Sequence, residues 1–155
     1  MTWALNANLP ATRHPFVAAN PILRQSLILL VTVSAAVGGF LATGPDAISL
    51  AATTAGADLT RLLRFMAALK GMMAVVALAA VMWRLGAAVT PLRLATYGIA
   101  AAAMAAGPGL IWGMVHLKLG AALLHGGLFA TIILLWRDPA VAGRLETMIR
   151  ARRRR

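Results

Sequence analysis

The chain has 155 residues, of which 61% are hydrophobic and only 12% charged, and its mean hydropathy is +0.81. Soluble domains carry about a quarter charged residues, so an all-α integral membrane protein is expected. The absence of cysteine excludes disulfides, thiolate metal sites and cysteine nucleophiles. Fifteen Lys+Arg stand against four Asp+Glu, but the charges flank apolar runs, which points to membrane topology and not to a nucleic-acid partner.

Residues 1–20 lack the basic start and unbroken apolar stretch of a cleaved signal, and Pro10 and Pro15 interrupt them. They read as a retained cytoplasmic arm. Asn20-Pro21 then opens a helix, with a capping side chain before a residue whose missing N–H costs nothing at the first helical position. The first span is expected over residues 21–43. Within it Ser34 precedes Gly38, and Ala35 precedes Gly39, by four residues, a small-xxx-small spacing that admits another helix backbone. Gly44-Pro45 ends the span, and a short interfacial helix is expected near Ala47 to Thr53.

Asp58 is expected to cap a second span over residues 60–84, whose first turns carry Arg61 and Arg64. Lys70 lies within it, about 21 Å from Arg84 at the helical rise. It is read either as snorkelling to the outer interface or as an anion or partner contact inside the bundle. Thr90-Pro91 repeats the cap-then-proline start and opens a third span over residues 91–106, in which Gly98, Ala102 and Ala106 form a face of almost bare backbone. Gly107-Pro108-Gly109 is expected to break or kink the chain, the preferred picture being a break. That leaves a long, tilted fourth span over residues 110–136 beside a short third one.

With the first arm inside, eleven basic residues fall on the cytoplasmic side. Three, Arg61, Arg64 and Lys118, fall on the outer side. A four-helix bundle with both termini cytoplasmic follows, and the Arg- and Ala-rich composition suggests a bacterial inner membrane. Trp83, Trp112 and Trp136 stand at span ends, as interfacial belts require. Residues 137–155 form a basic cytoplasmic tail. Its Arg152, Arg153, Arg154 and Arg155 are expected to contact anionic lipid, as are Arg61, Arg64, Lys70 and Lys118 unless cofactor propionates or the acids of another subunit meet them. Continuous apolar runs exclude a β-barrel, and the chain has no P-loop, zinc motif or nucleotide fingerprint.

Site chemistry is sought on the fourth span. At about 100° per residue, Gly113, His116, Gly120 and Gly127 share one stripe, and Lys118, Ala121, Ala122, His125 and Phe129 lie opposite. His116 falls near the outer interface. His125 lies about 18 Å in from Arg137, near mid-membrane, where a polar ring needs a partner. One role for His125 is a hydrogen bond between helices, with Ser34 at similar depth. A second is axial ligation of haem or (bacterio)chlorophyll, since Ala121, Ala122, Gly126 and Gly127 leave room for a flat macrocycle. A proton relay lacks intramembrane acids to pass the proton onward.

Ala121-x-x-x-His125 followed by Trp136-Arg137 resembles the pigment-binding helix of bacterial light-harvesting polypeptides over a small part of the chain. The resemblance implies a chlorin at His125; the four-span layout and the expected direction of this helix depart from that pattern. The function expected is a non-catalytic accessory or assembly subunit of a larger membrane complex, joined to other subunits or to copies of itself. The alternatives are a small transporter or holin-like pore and a membrane enzyme handling a cofactor.

Overall fold

A computed structural model describes residues 20–143 and 149–150. The described residues include the helices α1 (Pro21–Leu41), α2 (Pro45–Ala55), α3 (Ala57–Leu85), α4 (Pro91–Trp112) and α5 (Leu117–Trp136). All but α2 are long and apolar enough to cross a membrane. The described residues are therefore all-helical, with four helices long and apolar enough to span a membrane as expected, although several of the expected boundaries move.

Both cap-then-proline starts form as the sequence implies. The Asn20 side chain accepts the Ile22 N–H at 3.0 Å, and the Thr90 hydroxyl accepts the Arg93 N–H at 3.4 Å. The interfacial helix is longer than expected. Asp58 does not cap α3: Gly56 holds the cap position at φ 80°, and Asp58 sits in the first turn, where a negative charge suits the helix dipole.

The larger correction concerns Gly107-Pro108-Gly109, which does not break the chain. Helix α4 runs through it to Trp112. Pro108 cannot donate to the Met104 carbonyl, a loss that membrane bundles tolerate when neighbouring helices enclose the site. Here they do. A Cβ on Gly107 would meet the Gly120 carbonyl and Leu124 of α5 at 2.6 and 2.7 Å, and one on Gly109 would meet the Gly39–Phe40 backbone of α1 at 2.6–2.7 Å. The glycines are needed for close approach on two sides of one helix. The chain turns instead over residues 113–116, where Met114 adopts φ 62°. The third and fourth spans therefore have 22 and 20 residues, about 33 and 30 Å long, and the long tilted fourth span is not formed.

Helix α4 is thus the axis of the bundle, with α1 and α5 on different faces of it. On the α1 side Gly98 packs on Ile28, and Gly39 lies against the Ala106 backbone; on the α5 side Gly127 fits between Ala100 and Met104. Of the two small-residue pairs in α1, Ala35/Gly39 faces inward, whereas Ser34 and Gly38 face outward. The core joins Val81, Leu85, Tyr97, Ala101, Met104 and Leu124. Helix α3 packs on α4 along a narrower seam. Gln25 Nε2, donating to the Met82 carbonyl at 3.0 Å, ties its last turns to α1.

Candidate functional site

Among the described residues, polar chemistry is gathered at a buried ion cluster at one end of the bundle, at a cation–aromatic cap at the other, and at His125 between them.

The ion cluster centres on Asp138, just past α5. The Trp136-Arg137-Asp138-Pro139 sequence signals the end of a span, yet Asp138 is only 3% exposed. Arg84 grips it with two donors, Nε at 2.5 Å and Nη2 at 3.1 Å. Arg93 Nη1 donates at 3.2 Å, the Tyr97 hydroxyl at 3.3 Å and the Ala140 N–H at 3.1 Å. Burial alone would raise the Asp138 carboxyl. The Arg84 and Ala140 hydrogen bonds, with the charges of Arg84 and Arg93, outweigh it and hold the group below the usual carboxylate value. The Arg84 side chain is as buried as its partner, at 2%, whereas that of Arg93 is 45% exposed. Sequence reading missed this site, although one acid at a span end opposite the basic turn holding Arg84 and Arg93 was a usable signal.

At the opposite end Arg64 lies over the Trp112 ring, 5.6 Å from its centroid, and Trp112 meets Phe40 edge-on at 6.4 Å. Arg64 Nε is buried without a hydrogen-bond partner. The other cations expected to make partner or lipid contacts are not gathered with it. Arg61 pairs loosely with Asp58 at 3.9 Å on the surface. Lys118 is exposed and Lys70 half-buried, and Arg152 to Arg155 lie outside the described residues.

His125 is exposed on α5 and its Nδ1 stands 2.7 Å from the Ala121 carbonyl. The expected hydrogen bond to Ser34 does not form, because α1 and α5 pack on different faces of α4 and Ser34 is itself exposed. A carbonyl only accepts, so Nδ1 carries the proton, and in the neutral ring Nε2 presents its lone pair. His116 is not on the helix at all: it occupies the cap position of α5 at the bundle end, so the shared stripe with Gly120 and Gly127 is broken at the turn. Among the described residues no three His, Cys, Asp or Glu side chains gather as a metal site.

Two grooves between helices are apolar. One, of about 480 Å³, lies between α1, α3 and α4 and is lined by Thr32, Phe40, Ala68, Gly71, Pro108 and Trp112 among others. A second, of about 530 Å³, runs between α4 and α5 past Ala103, Gly126 and Ala130. Compared with protein-family models, curated proteins and solved structures, the chain matches none.

Proposed function

We propose that this chain is a non-catalytic accessory subunit of a larger complex in a bacterial inner membrane, with both termini cytoplasmic, and that it presents His125 to a partner outside its own bundle. The observation that carries this reading is His125 itself. It lies eight residues into a 20-residue span, about 12 Å from the start of the helix, and so well inside a hydrocarbon core about 30 Å thick. Its ring is exposed and, among the described residues, it bonds to its own helix. An outward polar group at that depth is costly in lipid. An acceptor nitrogen there is accounted for by a donor or metal centre brought by another molecule.

Haem or a chlorin is the group whose chemistry fits best. An Nδ1–H held by a carbonyl orients the ring and raises the basicity of Nε2, the arrangement found behind histidine metal ligands. Gly126, the next residue, has nothing within 4 Å of where a Cβ would stand, which leaves room for a flat ring. The apolar character of the grooves supports an interaction subunit over a water-filled pore, which needs polar lining.

The test is mild-detergent isolation of tagged wild type and His125→Ala, with a visible spectrum on the same samples. A companion chain or a tetrapyrrole band is expected with wild type and lost in the variant, while both melt alike. Identical bare monomers would overturn the reading. Thiol reporters introduced at each end of this cysteine-free chain should both label from the cytoplasmic side.

A further inference from the structure

Trp112, which lines the groove between α1, α3 and α4, carries Arg64 over its ring, and the length of the groove along α3 matches one leaflet. Arg64 and Arg84 are 20 residues apart on the continuous helix α3; at 1.5 Å per residue they stand about 30 Å apart, the thickness of the hydrocarbon core. Arg64 is therefore at headgroup level. From Ala67 to Leu78 the α3 wall of the groove descends about 16 Å, close to half of that core. The walls are apolar and built of small residues, Ala36, Ala67, Ala68, Gly71, Ala74 and Ala105, and the volume of about 480 Å³ falls in the range of ligand sites.

The mouth is short of acceptors. The Arg64 guanidinium stands over the Trp112 ring, 5.6 Å from its centroid, and Arg64 Nε is buried with no hydrogen-bond partner. Thr43, 7% exposed, lies against Gly113, the residue after Trp112, and its hydroxyl is likewise unpartnered. No acid among the described residues is in ion-pair range of Arg64, while Asp58 faces Arg61.

We propose that this groove is a binding site for one anionic phospholipid, an acyl chain lying along Ala68, Gly71 and Val75 and the phosphate at Arg64. The fit joins an apolar trough of one leaflet's depth to a cation with an unused donor at its rim. Phosphate oxygens give guanidinium N–H groups their strongest ordinary partners, and headgroup phosphate occurs at this depth.

Native mass spectrometry of the delipidated full chain, titrated with phosphatidylglycerol or phosphatidylcholine of identical acyl chains, tests the site. Expected are one retained phosphatidylglycerol, weaker retention of phosphatidylcholine, and about tenfold weaker phosphatidylglycerol binding in Arg64→Gln, with Arg64→Lys in between. Gly71→Leu, whose side chain enters the groove where a Cβ meets only Pro108 at 3.9 Å, should reduce retention of both lipids. The same lipid should raise the melting temperature of wild type and not of Arg64→Gln, a comparison that also shows whether the variant folds. Equal retention of the two lipids, an unaffected Arg64→Gln, or an unaffected Gly71→Leu overturns the proposal. So does an Ala68→Cys chain that cross-links to a second copy in native membranes, because a helix would then fill the groove.

Discussion

Asp138 and Arg84 are 54 positions apart in the chain and meet at 2.5 Å, each with a side chain only 2% exposed. Removing one partner of such a pair leaves the other as an uncompensated buried charge, which costs about 3–5 kcal/mol. Asp138→Asn should therefore lower unfolding stability in detergent by an amount of that order. Arg93→Gln, at the half-exposed arm of the cluster, should cost about 1 kcal/mol or less because solvent screens it. Chemical denaturation of the two variants side by side measures the ratio, and equal effects would show that Arg84 is not the principal partner.

The pH dependence follows from the depressed Asp138 carboxyl. A group whose folded value lies below its unfolded value contributes stability that is complete above the unfolded value, about 3.9 for aspartate. That contribution is lost as pH falls through the folded value. The melting temperature should accordingly gain nothing from Asp138 ionisation above about pH 5 and should decline below about pH 4. In Asp138→Asn the acid decline should be shallower, and a wild-type slope in that variant would refute the assignment.

Neighbouring glycines in α5 offer a sharper steric test. A Cβ at Gly127 would stand 2.5 Å from the Met104 backbone nitrogen and 2.6 Å from the Ala100 carbonyl, whereas at Gly126 it would meet nothing within 4 Å. Gly127→Ala should destabilise the bundle by about 1–3 kcal/mol through overpacking. Gly126→Ala should be neutral or gain up to about 1 kcal/mol from helix propensity. Thermal melts of the purified proteins decide the matter. The reverse order would mean that α5 is rotated from the packing described here.

His125→Ala is expected to leave the melting curve of the isolated chain within about 0.5 kcal/mol of wild type, as surface substitutions do, because the ring is exposed and, among the described residues, bonds to Ala121 of its own helix. Its effect should appear in association or spectrum alone. A substantially lowered stability without any change in companions would mark His125 as a structural residue of the bundle.

Much of the architecture was legible because it is local. Asn20-Pro21 and Thr90-Pro91 announce helix starts through their own side chains, and the apolar runs announce four spans by length. The bare face of α4 was visible as Gly98, Ala102 and Ala106, and Gly98 and Ala106 do meet α1. What the sequence hid depends on how the helices are arranged around one another. Gly107-Pro108-Gly109 reads as a break until α1 and α5 are both seen to press against it. The true turn is carried by Met114, a residue type with no affinity for positive φ. Ser34 matches His125 in depth, but depth does not say on which face of α4 each helix lies. Asp138 looked like punctuation because its partners belong to two other helices.

The position of Arg84 also orders events during synthesis. By the time α3 and α4 have been made, Arg84, Arg93 and Tyr97 are present, but their shared acceptor arrives only with Asp138, after the last span. Until α5 has been made, Arg84 lacks the anion that neutralises it and holds it in the core. A chain ending before Asp138 would carry Arg84 without that carboxylate at the seam of α3 and α4.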